Sequence, residues 1–343
     1  MAGLVAAARA RELGAPAVVY EKGTLPGGSM LLSSCVIWGY ESFEEFGRQC
    51  PGGDEALQRL VWERLDDALD WLEAVGATVT ERQTPNPLTT GRRFDPRRLT
   101  EALVRAAGDL RLGETAPEGT GPLVLATGGF QGSPELVAEH IAPAAPLPLR
   151  ANPWSAGDGL RLGLEQGGSL SAGMDEFYGR NMPDAPFAEG DYVPAAQLYA
   201  ARARVVNDLG EEFLAGPVDW SETSVVQATA RQPGTAAWYL LDHEGSREVE
   251  PRLQEARRLG GTVLAAAGLP FAAPEGTELG VRVRAAITHT IGGLRIDERA
   301  RVVGTEGLYA AGADAGGIST GGYASGLASA LVLGLTAAED TVS

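Results

Sequence analysis

The order of apolar and polar residues switches repeatedly between helical and extended spacing in the first third of the chain. Small apolar side chains at helical spacing are followed by a short apolar run that ends at Glu21, which is half of a βαβ unit. The predicted elements here are a helix over Ala2–Leu13, a strand over Ala17–Tyr20, helices over Asp54–Val75 and Arg97–Ala107, and a buried strand over Leu123–Ala126. Apolar strands that alternate with helices are typical of a parallel sheet.

The pattern changes from about Asn152 to about Arg284, where Trp, Tyr, Pro and Asn are interspersed among short segments. After this region the chain predicts a strand-turn-strand unit over Gly292–Asp297, a strand over Gly307–Ala311 and a closing helix over Ala324–Glu339. We therefore expect an α/β protein in which residues 1–151 and 285–343 form one Rossmann-like domain and residues 152–284 form an inserted α+β domain.

Length and composition narrow the class of protein. A chain of 343 residues has room for two domains, and 44% of its residues are hydrophobic. The longest apolar run, Leu327–Leu335, is shorter than a membrane span, so we expect a soluble protein without membrane insertion. A formal charge of -17 argues against nucleic acid as a partner. Because Lys22 is the only lysine, binding of phosphate or carboxylate falls to arginine, histidine or backbone amides.

The cysteines and histidines exclude other classes. Cys35 and Cys50 show no disulfide framework, which predicts buried thiols in a reducing cytoplasm. The first residues lack the segments of an export signal. The three histidines (His140, His243 and His289) lack metal-ligand spacing, and a G-x-S-x-G elbow is absent. Metalloenzyme and hydrolase functions therefore lose most of their support.

Two glycine-containing stretches carry candidate chemistry. Gly3 in the first helix and Glu21 after the first strand have the spacing of a dinucleotide-binding unit, in which the glycine allows close packing and the acid binds ribose. The strand and two glycines that would complete the unit would precede Met1, and an ordinary helix and strand fit the same residues.

The second stretch, from Gly307 to Gly326, is more specific. Its apolar strand leads Gly312 and Asp314 into a tight loop, where the carboxylate is placed to accept hydrogen bonds from sugar-alcohol hydroxyls. The following helix start carries a positive partial charge that suits an anion. A loop whose glycines only let the backbone turn is the alternative.

With these motifs the chain resembles the flavoprotein subunits of fumarate reductase and succinate dehydrogenase, together with the 3-ketosteroid Δ1-dehydrogenases. The matching stretches are MAGLVAAARARELGA, VVYEKGTLPGGSM, VLATGGF, NPWSAGDGL, ARVVNDLGEEF, ITHTIGGLRID and GLYAAGADAGGISTGGYASGLASAL. The resemblance implies a glutathione-reductase-like FAD-binding domain with a capping domain and FAD as cofactor. The residues that it places along the FAD are Gly3, Glu21, Lys22, Gly27, Gly28, Ser29, Ala126, Thr127, Gly128, Asp158, Gly312, Asp314, Ser325 and Leu327.

The resemblance also implies a substrate site. His289 stands where such enzymes hold a substrate carbonyl or carboxylate, although a structural histidine is the alternative. Tyr323 stands where fumarate reductases carry an arginine and ketosteroid dehydrogenases a tyrosine that polarises a ketone. A phenol donates to a carbonyl oxygen but does not bind a carboxylate in the bidentate manner of arginine, which favours an enone-type or mixed substrate over plain fumarate. Packing at the helix start is the alternative role of Tyr323.

Weaker candidates surround this site. Tyr178, Arg180 and Asn181 suit a cleft lining or a solvated loop. Of these, Tyr178 or Arg180 is expected to move the proton. A further substrate contact would come from Ser33, Ser34, Trp38 or Tyr40, although Trp38 also fits a core position. Anionic groups would be gathered by Arg92, Arg93, Arg97 and Arg98, although the spacing of Arg97 and Arg98 also suits a helix surface.

The resulting expectation is an FAD-dependent oxidoreductase acting on a C=C bond conjugated to a carbonyl, with a small-molecule carbonyl or carboxylate substrate and an electron donor or acceptor that the sequence leaves unknown. The family's segments look shortened between Leu112 and Pro122 and between about Val263 and Thr277. A remnant of the fold that has lost cofactor affinity and acts as a binding protein is therefore the competing hypothesis.

Overall fold

A computed structural model describes residues 1–117 and 121–343. The expected shortening between Leu112 and Pro122 includes residues 118–120, which lie outside the described residues. The chain packs as two compact units, one of residues 1–136, 152–176 and 289–343 and the other of residues 137–151 and 177–288. Residues 152–176 thus pack with the first unit, although the sequence pattern began the inserted domain at 152. The functional domain limits stay a prediction.

The elements are as follows in chain order. The helices are α1 (Ala2–Glu12), α2 (Phe43–Gln49), α3 (Glu55–Ala74), α4 (Pro96–Ala107), α5 (Pro134–Leu136), α6 (Asp158–Glu165), α7 (Thr223–Ala230), α8 (His243–Glu248), α9 (Glu250–Arg258) and α10 (Gly326–Val342). The strands are β1 (Val18–Glu21), β2 (Val36–Tyr40), β3 (Val79–Glu81), β4 (Thr89–Phe94), β5 (Asp109–Leu112), β6 (Leu123–Leu125), β7 (Phe177–Pro183), β8 (Arg204–Val206), β9 (Ala236–Leu241), β10 (Val263–Ala265), β11 (Leu279–Thr290) and β12 (Leu308–Ala310).

Most predicted helices and strands are confirmed, with ends shifted by at most three residues. The strand-turn-strand unit over Gly292–Asp297 is wrong, because this segment forms only isolated bridges through Leu294 and Ile296. Gly293 lies so close to the loop before α10 that a Cβ on it would be 2.6 Å from the carbonyl oxygen of Asp314. The backbones at Gly293 and Asp314 pass so close together that regular strand pairing does not form here.

The strands of the first unit form two parallel pairs and one antiparallel sheet. β1 pairs with β5, from Val18 opposite Asp109 to Glu21 opposite Leu112, and β6 pairs with β12. The predicted parallel strands are therefore confirmed, as two separate pairs. Among the described residues, no strand joins β1 to β6, so each of them has one unpaired edge. The antiparallel sheet has the order β2-β4-β3.

Small side chains let helices α1 and α10 pack closely in this unit. Ala6 and Ala10 of α1 pack with Ala338 of α10 in a buried cluster. A Cβ on Gly334 would lie 2.9 Å from the carbonyl oxygen of Ala2, which shows how near the two backbones are. The alanines of α1 thus favour the helical conformation and, because their side chains are small, also allow close packing against α10.

The second unit is built on a five-stranded sheet with the order β10-β11-β9-β8 and β7 paired to β11. β9 is buried along its whole length, which its continuous run AAWYLL favours. Leu279 of β11 lies opposite Leu241 of β9 in the antiparallel register. Tyr239 and Leu253 belong to the core that covers this sheet.

In the described part of the chain, no helix is long and apolar enough to cross a membrane. The prediction that Cys35 and Cys50 are buried free thiols is confirmed. Burial raises the pKa of each thiol to about 12, so both stay protonated and unreactive near neutral pH.

Candidate cofactor and active site

The carboxyl end of β1 brings together an acid, the single lysine and a second acid. Glu21 accepts a hydrogen bond from the backbone N–H of Gly23 at 2.7 Å through Oε1. Lys22 Nζ lies 2.7 Å from Asp158 Oδ2, at the first residue of α6. Three residues that the sequence placed along the FAD therefore lie at one end of a parallel strand, where α/β folds bind nucleotides.

An exposed tryptophan that the sequence analysis did not single out lies at the same place. A Cβ on Gly23 would be 2.8 Å from Cδ1 of Trp154, so the indole lies directly against the backbone after β1. Its only sequence signal is a large aromatic residue inside the polar, turn-forming stretch before Asp158.

The turn at Gly27 and Gly28 has backbone angles that favour glycine, with φ of 108° and 55°. A Cβ on Gly28 would meet only Asn152 Nδ2, at 3.6 Å, so the backbone here is open. Ser29 Oγ accepts a hydrogen bond from the N–H of Asn152 at 3.1 Å, which ties this turn to the segment that carries Trp154.

Asp314 holds the turn that follows β6. Its carboxylate accepts hydrogen bonds from the N–H of Thr127, from Thr127 Oγ1 at 2.9 Å and from the N–H of Gly129 at 3.1 Å. Asp314 is 1% exposed, and desolvation raises the pKa of its carboxyl while these hydrogen bonds oppose the rise. The sequence analysis expected this carboxylate to accept from sugar-alcohol hydroxyls, but in this structure its partners are protein groups, and its contact with a cofactor stays a prediction.

The start of α10 brings further candidates into the first unit. Gly312 has φ of 68°, and a Cβ on it would lie 3.5 Å from Ala2 Cβ at the start of α1. Ser325 caps α10 by accepting a hydrogen bond from the N–H of Ala328 at 3.3 Å. Leu327 in the first turn is half-buried.

These residues fit FAD. The cradle consists of glycine backbone at Gly27, Gly28 and Gly128, all with positive φ, and a Cβ on Gly128 would clash with Ser155 Oγ at 2.5 Å. At Gly3 the close approach that a dinucleotide fold requires is present, because a Cβ there would lie 3.3 Å from Ala126 Cβ. A carboxylate at the end of β1, Glu21, completes the set for a ribose.

His289 and Tyr323 both lie at the start of α10. A Cβ on Gly326 would be 3.2 Å from Cε1 and 3.3 Å from Nε2 of His289, so the imidazole packs against the first helical residue. Tyr323 precedes that residue by three positions, and its ring lies edge-on to Trp38 with centroids 5.4 Å apart. Trp38 is buried in β2 and contacts Tyr40 at the same centroid distance.

The loop before Tyr323 is held by groups that the sequence analysis missed. Gln58 is buried on α3 and donates to the carbonyl oxygens of Cys50 at 2.9 Å and Ile318 at 3.0 Å. Glu176 accepts a hydrogen bond from the N–H of Gly321 at 2.7 Å. No local pattern marks these two side chains, because their partners are distant in sequence.

The candidates of the second unit lie along β7. The Arg180 guanidinium lies 4.7 Å above the ring of Tyr178 and donates to the carbonyl oxygen of Ser221. Asn181 is buried and donates to Tyr239 Oη at 2.8 Å and to Thr229 Oγ1 at 3.1 Å. Burial raises the pKa of the nearby Glu222 to about 7, partly offset by a hydrogen bond from the N–H of Ala200.

Two of the arginines that were considered for anion binding have carboxylate partners instead. Arg92 pairs with Asp70 at 2.6 Å and Glu73 at 2.5 Å, and Arg93 pairs with Glu81 at 3.1 Å. These contacts favour a structural role for Arg92 and Arg93.

Comparison with known proteins agrees with this fold. The chain is similar in structure to the open conformation of a flavocytochrome c3 fumarate reductase, with a TM-score of 0.73, 19% identity and coverage of 99% of this chain and 76% of that chain. It is also similar to 3-ketosteroid-Δ4-(5α)-dehydrogenase from Rhodococcus jostii RHA1, with a TM-score of 0.72, 18% identity and coverage of 100% and 95%. For 3-ketosteroid Δ1-dehydrogenase from Sterolibacterium denitrificans the TM-score is 0.74, at 16% identity and coverage of 99% and 97%.

These likenesses confirm the predicted FAD-binding flavoprotein fold. No curated protein matches the chain in sequence. The family described as FAD binding domain matches residues 113–329, which is more than half of the chain, and confirms the prediction of FAD as cofactor. The chain belongs to the FAD binding domain family.

Proposed function

We propose that this protein is an FAD-dependent oxidoreductase that transfers a hydride to or from a C=C bond conjugated to the carbonyl of a small molecule. The observation that carries the proposal is that His289 lies against Gly326, the first residue of α10, and that Tyr323 lies three positions earlier beside the buried ring of Trp38. When bound, FAD supplies the hydride chemistry. The residues that would hold FAD include Glu21 at the end of β1, Gly28 in the glycine turn and Ser325 at the start of α10.

Tyr323 and His289 are proposed to polarise the substrate carbonyl. The Tyr323 hydroxyl donates a hydrogen bond to the carbonyl oxygen as negative charge develops there, and His289 donates to the same group. The N-terminal end of α10 adds a positive partial charge next to both side chains. The two hydrogen-bond donors and the partial charge of the helix together stabilise an enolate-like oxygen.

The preference for a ketone over a carboxylate rests on the chemistry of the phenol. Tyr323 offers one donor and no charge, whereas a guanidinium offers two parallel donors and a positive charge. Two of the similar structures are ketosteroid dehydrogenases in complex with 4-androstene-3,17-dione and 1,4-androstadiene-3,17-dione, which are conjugated ketones. Their likeness supports the ketone class, and the likeness to fumarate reductase keeps the dicarboxylate class as its competitor.

A proton must be moved at the carbon next to the one that exchanges the hydride. Tyr178 or Arg180 is proposed to do this, because both side chains lie on β7 with the guanidinium 4.7 Å from the phenol ring centroid. The pair lies in the second unit.

The competing function is a binding protein without cofactor chemistry. The observation that favours it is that the Asp314 carboxylate, expected to bind sugar-alcohol hydroxyls, accepts hydrogen bonds from Thr127 and Gly129 instead.

One experiment separates the two functions. The purified chain is titrated with FAD, its absorption spectrum is recorded before and after denaturation, and turnover of 4-androstene-3,17-dione and of fumarate is followed with an artificial electron acceptor or donor. Flavin bands and turnover of the steroid support the proposal. A colourless protein that takes up no FAD leaves only the binding-protein function, and turnover of fumarate alone would replace the ketone class by the dicarboxylate class.

A further inference from the structure

A large aromatic ring is open to solvent beside the end of β1. Trp154 is 44% exposed, although exposure of an indole is unfavourable. The Cδ1 and Nε1 atoms of its ring would lie 2.8 and 3.1 Å from a Cβ on Gly23, and Glu21 Oε1 would lie 3.1 Å from the same point. The indole edge and the Glu21 carboxylate therefore meet at one backbone position.

The position of Trp154 is fixed by its own loop. The backbone N–H of Trp154 donates to Asn152 Oδ1 at 3.0 Å, and the backbone N–H of Asn152 donates to Ser29 Oγ at 3.1 Å. Lys22 Nζ lies 6.0 Å from the indole centroid and is held by Asp158 at 2.7 Å. These contacts hold the turn that carries the indole. Little conformational entropy of the ring is therefore lost when a base stacks on it.

The segment after β5 lies beside the backbone that the indole touches. The N–H of Gly113 donates to the carbonyl oxygen of Gly23 at 3.1 Å, and the N–H of Glu114 donates to the carbonyl oxygen of Glu21 at 3.3 Å. The indole edge, the Glu21 carboxylate and this segment therefore meet at one place beside the end of β1.

We propose that Trp154 is the stacking platform for the adenine base of FAD, next to a ribose held by Glu21. An adenine ring gains from contact with an indole face, and the ring is sufficiently exposed to accept it. The inference rests on FAD as the cofactor, which is part of the proposed function, and is independent of the substrate.

The test uses the apo protein and three probes. FAD and ADP carry adenine, whereas FMN carries only the flavin half. Trp154→Leu should weaken the binding of FAD and of ADP about tenfold, the effect of losing one stacked base, and leave the affinity for FMN unchanged. Trp154→Phe should recover most of the affinity for FAD. ADP should quench indole fluorescence in the unmodified protein and not in Trp154→Leu.

The matched control is Trp71→Leu on α3, a partly exposed tryptophan whose indole N–H donates to Glu12 Oε2 at 2.8 Å, and it should leave all three affinities unchanged. Equal binding of FAD to the unmodified protein and to Trp154→Leu would overturn the stacking role and spare the flavoprotein function. Equal losses for FMN and FAD would also overturn it, because they would mean general damage to the cradle. An unmodified protein that binds neither FAD nor ADP would overturn both.

Discussion

The hydroxyl of Tyr40 donates a hydrogen bond to the backbone carbonyl oxygen of Tyr323 at 2.5 Å. Trp38 lies edge-on to both rings at 5.4 Å, so β2 holds the proposed carbonyl-polarising residue by one hydrogen bond and one aromatic contact. Tyr40→Phe keeps the ring contacts and removes only the donor, and it should lower turnover of an enone about tenfold, because the orientation of Tyr323 loosens. Steady-state kinetics check this, with FAD affinity as the control. Unchanged turnover would show that Tyr323 is positioned by other contacts.

Tyr323→Phe tests the class of substrate. Loss of the phenol hydroxyl should lower turnover of an enone by roughly two to three orders of magnitude, the usual loss for one oxyanion donor, while the flavin spectrum stays intact. His289→Ala should act in the same direction. Fumarate turnover that survives Tyr323→Phe would contradict the ketone assignment, and Arg180 would then be the sensitive position.

The bonds between Asp314 and Thr127 predict a coupling within the apo protein. Asp314→Asn places an N–H₂ group against backbone N–H donors, and Thr127→Val removes the hydroxyl donor to Oδ1. Each variant should lower the free energy of unfolding, and a double-mutant cycle should show coupling of about 1 kcal/mol.

Urea unfolding of the four apo proteins measures this coupling. The exposed ion pair of Asp158 offers the control, since Asp158→Asn should change stability by less than about 1 kcal/mol. Additive effects of the two variants would contradict the coupling of Asp314 to Thr127.

Glu222 predicts a dependence of stability on pH. This carboxyl is 5% exposed, and burial raises its pKa from 4.5 to about 7; Asp219 raises it further, whereas the N–H of Ala200 and the charge of Arg180 lower it. A raised carboxyl pKa stabilises the folded state below pH 4.5, and this contribution is lost as the pH rises from 4.5 to 7. The loss amounts to about 3 kcal/mol.

Glu222→Gln keeps an acceptor for Ala200 and removes the titration. The difference in free energy of unfolding between the variant and the unmodified protein, measured by denaturant from pH 4.5 to 8, should therefore change across this window and level off above pH 7. A difference that is constant with pH would contradict the raised pKa.

The unpaired edges of β1 and β6 predict that a designed strand fused to the chain changes the affinity for FAD. An extended apolar segment with two glycines, fused before Met1, should pair with these edges and tighten FAD binding about tenfold, because its turn would bring backbone amides to the pyrophosphate at the start of α1. Titration with FAD checks this against a fused segment of equal length that contains prolines and cannot pair. Equal affinities would contradict the expectation.

Periodicity and glycine positions in the sequence predicted the helices, the parallel strands and much of the cradle. Helix α1 with Gly3, the strand that ends at Glu21 and the turn at Thr127–Gly129 depend on neighbours in the chain, and such local preferences are readable. The order of these elements also carried the likeness to FAD-binding proteins. The expected strand-turn-strand at Gly292–Asp297 was wrong because the close backbone passage at Gly293 is a contact with a distant loop.

Contacts between residues far apart in the chain were decided by the tertiary structure alone. Asp314 turns its carboxylate to Thr127 and Gly129, 185 to 187 positions away, and Gln58 reaches Ile318 across 260 positions. The indole of Trp154 meets Gly23 in the same way. No local pattern encodes such pairs, because their partners are set by how helices and sheets pack and not by the spacing of residues along one element.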